Sequence, residues 1–255
     1  MLLELLRRLR VVELLGLRRS YGCESGSRLM GVCWGLSALL LNMGWIEAGC
    51  YSRRVVIRIG LVMLQGARHV HMAALNAAAD SLGINIEIHE LRKAVDLSQS
   101  KPDALVFPGG ESTTMRLTGN DTASGLLPEI FDWIRSDPSR PVLGTCAGAI
   151  LLCNPQDGGQ PLIDAKIDRN AFGRQADSFQ STLDSSLLDR DFPGVFIRAP
   201  RFTNVGEASE VVAMLGEEVV GVRCGNKLAL TFHPELSDDH GFHQWLIATA
   251  KEVAA

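Results

Sequence analysis

The 255-residue sequence contains no CxxC pair, and no histidine stands at metal-ligand spacing from any of its six cysteines (Cys23, Cys33, Cys50, Cys146, Cys153 and Cys224). This excludes the common zinc patterns and a disulfide framework, and it fits a reducing cytoplasm. No Gly-Lys-Ser/Thr follows a glycine-rich turn, which excludes a P-loop. There is no excess of basic charge either. The net charge is -4, which points away from a nucleic-acid partner. What the chain does have is a hydrophobic content of 46% against 21% charged residues, the balance of a soluble globular protein able to bury a core.

The first 54 residues lack lysine, aspartate, proline and histidine altogether, yet carry eight Arg and four Glu, net +4; the rest of the chain is net -8. Met1 to Arg19 reads as a helix of Leu/Val pairs spaced by Glu and Arg. Leu29 to Ile46 runs 18 residues without a charge, the lower edge of a membrane span, but three glycines, Ser37 and Asn42 interrupt it. No clean small-residue cleavage site follows, so a signal peptide fits poorly. Residues 1–54 are expected to be an atypical N-terminal extension, from a non-native start or as an accessory segment. A membrane anchor ranks last. Residues 55–255 form the functional domain.

From Val55 the pattern is orderly. "VVIRIGLVMLQG" reads as a strand, "HVHMAALNAAADSLG" as a helix and "INIEIHEL" as a strand; "PDALVFPGGES" is a strand ending in a Gly-Gly turn. "SGLLPEIFDWIRS" reads as a helix, "PVLGT" as a strand and "AGAILL" as the start of another helix. Strands apolar on both faces, alternating with helices, predict a parallel sheet covered on both sides. Strands dominate later, in "GVFIRAP", "EVVAMLG", "VVGVRCG" and "KLALTFHPE", before a final helix "HGFHQWLIATAKEVA". The expected fold is therefore α/β and three-layer, a mostly parallel sheet flanked by helices.

In such sheets reactive groups gather at the carboxyl ends of strands. Gly144-Thr145-Cys146-Ala147-Gly148 lies between a strand and a helix, the cysteine form of a nucleophile elbow. Its glycines leave room for a sharp turn, and the helix N-terminus favours a thiolate and can hold an oxyanion. The pentapeptide alone is equally compatible with a buried core cysteine. In "LALTFHPEL", Pro234 is expected to end a strand and leave His233 at its terminus. Glu235 can then orient the imidazole as a base for the thiol. His69, His71, His89, His240 and His243 have no such framing and are expected to be solvated. The "PGGES" turn could bring N–H groups close to a ligand, although a Gly-Gly turn is usually only a turn.

"PGGEST", "GTCAG" and "FHPE", in that order, resemble the class I (triad) glutamine amidotransferases, whose fold is flavodoxin-like. "LQG" at 64–66, "PGGESTTMR" at 108–116, "GTCAGAILL" at 144–152, "RNAFGRQADSF" at 169–179, "VFIRAP" at 195–200 and "FHPELSDDH" at 232–240 are together similar to the glutaminase subunits of pyridoxal 5′-phosphate synthase. The resemblance covers nearly all of 55–255, and "RNAFGRQ" and "FIRAP" are its specific parts. It implies Cys146 as nucleophile, His233 as base and Glu235 as the residue orienting it. It implies a glutamine site at Gly110, Glu111, Ser112, Arg169, Ile197 and Arg198, and an oxyanion hole at Gly110 and Ala147. Gln65 corresponds to a position that couples the subunit to its partner. The segment between PGGEST and the elbow is slightly longer than the family's.

The implied reaction is hydrolysis of L-glutamine to glutamate and ammonia through a cysteine thioester, with no metal or organic cofactor. The ammonia would pass to a separate synthase subunit in a cytoplasmic hetero-oligomer. Three other readings compete: a class I glutaminase serving another synthase, a non-catalytic binding or regulatory relative, and a cysteine hydrolase of the same architecture. "RNAFGRQ", the intact Cys-His-Glu set, and the PGGES turn with the arginines argue against them in turn.

Overall fold

A computed structural model describes residues 56–66, 68–169 and 178–255. The N-terminal extension with its apolar run, and "RNAFGRQ" beyond Arg169, lie outside the described residues. Among the described residues no helix is long and apolar enough to cross a membrane.

Strands β1 (Val56–Val62), β2 (Asn85–Leu91), β3 (Ala104–Phe107), β4 (Val142–Thr145) and β11 (Lys227–Leu230) form the parallel half of a nine-stranded sheet, in the order β2-β1-β3-β4-β11. Beyond β11 the sheet turns antiparallel through β10 (Glu218–Cys224), β9 (Glu210–Leu215), β6 (Ser178–Ser185) and β7 (Arg190–Ile197). β5 (Ala165–Asp168) and β8 (Arg201–Val205) make a separate two-stranded ribbon.

The helices divide between the two faces because the strands are apolar on both. In β3, Ala104 and Val106 join one core with α1 (Arg68–Leu82) and α6 (Gly241–Val253). Its alternate residues Leu105 and Phe107 join the other, with α2 (Ala94–Ser100), α3 (Ser112–Asn120), α4 (Leu126–Ser136) and α5 (Ala147–Cys153). Period-2 alternation thus sends successive side chains of one strand to two helical layers. The three-layer architecture expected from the sequence is the one observed.

One detail differs. β11 stops at Leu230, and Pro234 does not end it: Pro234–Leu236 form a single 3-10 turn with the proline in its first positions. His233 is held instead by its N–H, which donates to Val195 O of β7 at 2.8 Å. The chain between is anchored by Phe232, whose ring lies 5.5–5.8 Å from those of Phe192, Phe196 and Phe242. Aromatic pairs at such spacing each contribute about 0.5–1.5 kcal/mol beyond area burial. The cluster therefore fixes the height at which His233 leaves the sheet.

Candidate active site

Cys146 caps α5 with φ 48° and ψ -105°, a left-handed conformation that costs a non-glycine residue about 1–3 kcal/mol. Its surroundings impose it. The Cys146 N–H donates to Leu230 O at 2.8 Å, extending the β4–β11 ladder by one residue. The Cys146 carbonyl accepts from Ile150 N, the first turn of α5. One residue must therefore end a strand and begin a helix. Gly148 makes this possible: a Cβ there would lie 2.7 Å from Phe107 Cβ and 2.8 Å from Phe107 C, so α5 packs with its backbone against β3. Cys153, at the far end of α5, is the contrasting thiol: burial with nothing to offset it pushes it up to about 12.

His233 Nδ1 lies 2.7 Å from Glu235 Oε1. A carboxylate only accepts, so Nδ1 carries the proton and Nε2 is left to serve the thiol. Burial opposes protonation of His233, but its hydrogen bonds to Cys146 and Glu235 outweigh this and raise its pKa. Burial likewise opposes ionisation of Glu235. The hydrogen bond to His233 and the close approach of His71 overcome it and hold the carboxyl well below the usual range. Gly109 lies against both Cys146 and His233: a Cβ on it would lie 2.5 Å from His233 Cε1 and 3.4 Å from Cys146 Cβ. Only a glycine lets the PGGES turn pack this closely against thiol and imidazole.

The remaining expected residues surround this centre. Glu111 N–H donates to Gln65 Oε1 at 2.5 Å, and Gln65 also lies against Gly110, tying the β1 loop to the PGGES turn. The Glu111 carboxylate caps α3, accepting from Thr113 N at 3.0 Å and Thr114 N at 2.7 Å. Ser112, buried, opens that helix. Arg169 Nη1 donates to Thr113 Oγ1 at 2.6 Å, which puts its guanidinium at the first turn of α3. Ile197 ends β7 and Arg198 follows with φ 45°, two and three residues after the Val195 carbonyl that receives His233. Ala147 is the first residue of α5, so its N–H has no acceptor within the helix.

Glu111→Ala is expected to lower stability by roughly 1 kcal/mol, the usual worth of an N-cap, kept modest by the residue's exposure. The N–H groups of Thr114 and Thr113 bring the Glu111 carboxyl down to about 2 from an ordinary 4.5. A depressed carboxyl stabilises fully above its unfolded value and loses that contribution as pH falls through its folded one. The stability gap between wild type and variant should therefore close between 4.5 and about 2, as denaturant melts above and below that window would measure.

The sequence reading missed three residues. His71 and His243 are not solvated but fully buried, and His71 Nε2 lies 3.2 Å from Glu235 Oε1. Helical spacing held the signal: His71 shares the buried face of α1 with Ala74, Leu75, Ala78 and Ala79. His243 shares that of α6 with Leu246, Ile247 and Ala250. Half-buried Arg116 is the third. It bonds the Asn154 carbonyl and Gln156 Oε1, and burial, then the Arg169 charge, lowers its pKa. Two cations thus flank the PGGES turn, a setting suited to a carboxylate. Among the described residues no cluster of three or more His, Cys, Asp or Glu side chains could hold a metal.

A cysteine elbow on a parallel sheet, with a His-Glu pair leaving the neighbouring strand, is the arrangement of the triad glutamine amidotransferases. Residues 61–252 match the model of the SNO glutamine amidotransferase family, and the chain belongs to that family. It is 42% identical over 201 residues to the pyridoxal 5′-phosphate synthase subunit PdxT of Methanothermobacter thermautotrophicus, covering 78% of this chain and 97% of that one. The PdxT of Bacillus mycoides is 38% identical over 202 residues, with the same coverage. A crystal structure of a glutamine amidotransferase superposes with a TM-score of 0.64 at 38% identity, covering 76% of this chain and 98% of that one.

Proposed function

We propose that this chain is the glutaminase subunit of a pyridoxal 5′-phosphate synthase, hydrolysing L-glutamine and handing the ammonia to a separate synthase subunit. The observation that carries the chemical half is the Cys146–His233–Glu235 set at the ends of the adjacent strands β4 and β11. The biosynthetic half rests on the PdxT relatives, alike over nearly their whole length.

In this reading His233 Nε2 takes the Cys146 thiol proton, and the sulfur attacks the side-chain amide carbon of glutamine. The carbonyl π electrons move to oxygen, and the N–H groups of Ala147 and Gly110 receive the oxyanion. Collapse breaks the C–N bond as His233 gives its proton to the departing nitrogen, releasing ammonia and leaving a thioester. His233 then takes a proton from water, which attacks the thioester and frees glutamate and the thiolate. Glu235 holds the imidazole tautomer throughout. Arg169 and Arg116 at the start of α3, with Arg198, supply charge for the substrate carboxylate, and Ile197 lines the site. Gln65, bonded to the PGGES turn from the β1 loop, is placed to pass partner binding to the oxyanion donors.

The test is ammonia release from glutamine by the full chain, with and without a pyridoxal 5′-phosphate synthase subunit. Turnover should rise with the synthase, and nitrogen from labelled glutamine should appear in pyridoxal 5′-phosphate. A chain begun at residue 55 with a new methionine is expected to match it, since every group named here follows that point. Failure of the short chain to fold or to couple would make residues 1–54 part of the enzyme.

A further inference from the structure

The Glu235 carboxylate serves two imidazoles with one oxygen. Oε1 is 2.7 Å from His233 Nδ1 and 3.2 Å from His71 Nε2, the second approach being out of line for a hydrogen bond, while Oε2 has no hydrogen-bond partner among the described residues. The second contact is longer and less well aligned than the first, but the His71 ring and the carboxylate are shut away from water, their side chains 1% and 3% exposed. A buried carboxylate held ionised needs donors on it, and His233 supplies only one. Because the acceptor is a carboxylate, the His71 nitrogen facing it carries a proton whether the ring is neutral or charged.

We infer that His71 is a positioning residue for the glutaminase reaction, fixing the Glu235 carboxylate so that its shared oxygen stays aimed at His233. The elements make this mechanical as well as electrostatic. His71 lies in the first turn of α1, which packs against the Pro234–Leu236 turn carrying Glu235. α1 follows the β1 loop that holds Gln65, so one short segment runs from the PGGES contact to the back of the triad. Behind His71 stands His243, their ring centroids 5.8 Å apart. Burial, followed by repulsion from His71, lowers the His243 pKa to about 3, so it stays neutral and brings no competing charge. His233 faces Glu235 from the start of the turn and is itself bonded to Cys146 of the elbow, while His243 of α6 is also within reach of the His240 charge at that helix's N-cap.

The inference rests on the triad reading, and its test separates the two. His71→Leu and His71→Gln are compared with wild type in the full chain with the synthase subunit. Glutamine carries an N–H donor at about the place of imidazole Nε2; leucine keeps bulk without a donor. The leucine variant should lose at least about tenfold in kcat, the scale of other orienting partners, with KM for glutamine changed by less than about twofold. The glutamine variant should recover most of the loss at a similar melting temperature. Full activity of His71→Leu, or equal loss in both variants, overturns the inference. So does loss of the native near-UV spectrum in both, which would make His71 a packing residue. Cys146→Ala run alongside decides the other question: an active alanine variant defeats the triad, whereas an inactive one beside a fully active His71→Leu defeats only the role of His71.

Discussion

Cys146→Ala is expected to lower glutamine-dependent ammonia release at least about 10³-fold while the protein still folds. No other described thiol can substitute. Cys153 is buried at the opposite end of α5 with its pKa raised, and Cys224 lies at the end of β10. Stability should change in a manner peculiar to this position. Losing the sulfur costs about 1 kcal/mol at most, since the residue that remains still bears a Cβ at φ 48°. Cys146→Gly removes that Cβ and should be more stable than the alanine variant by about 1 kcal/mol, the more so because glycine serves better than alanine as an N-cap. Parallel denaturant melts and glutaminase assays of both variants measure this. Turnover in either above a hundredth of wild type would remove Cys146 from the chemistry.

Gly148→Ala is expected to cost about 2 kcal/mol or more, with loss of glutaminase activity in what still folds. Two effects oppose each other. Alanine in place of glycine within a helix gains roughly 1 kcal/mol of propensity. Against this, the added methyl would meet the Phe107 carbonyl oxygen, Cβ and backbone carbon, the last two at 2.7 and 2.8 Å. These are atoms of a central strand, and Phe107 is fully buried and stacked on Phe131, so nothing nearby can give way cheaply. The helix would have to lift off β3 and carry Cys146 with it. Melting temperature and ammonia release, measured together, test both parts; a variant as stable as wild type would show that α5 is not pinned to β3.

The legible parts of the protein were those whose information is local. The elbow is five residues long, and the glycines that allow it stand beside the cysteine they serve. β1, β3 and β4 read easily because they are apolar on both faces. β6 did not: "SFQSTLDS" is mostly polar, and what makes it a strand is pairing with β7 and β9, invisible to a window along the chain. β8 is half exposed for the same reason, a member of a ribbon whose partner β5 lies far back in sequence. α3 was hidden behind the turn that starts it, since Glu111, expected in the glutamine site, is also the N-cap of that helix. The buried histidines were misjudged because histidine is polar by habit. Their spacing on α1 and α6 was the better guide.

The position of β11 also bears on how the enzyme comes into being. It is the last strand in chain order among the described residues, yet it sits in the interior of the sheet, with β4 on one side and β10 on the other. Four antiparallel strands leave the ribosome before it and can reach the parallel half only through it. Joining β11 to β4 closes a loop of more than eighty residues, a slow kind of contact to form. That same pairing brings His233 toward Cys146 and gives the Cys146 N–H its acceptor. In the proposed mechanism a chain that stops before β11 therefore holds a thiol without its base. On that reading glutamine is consumed only by chains in which β11 has joined β4.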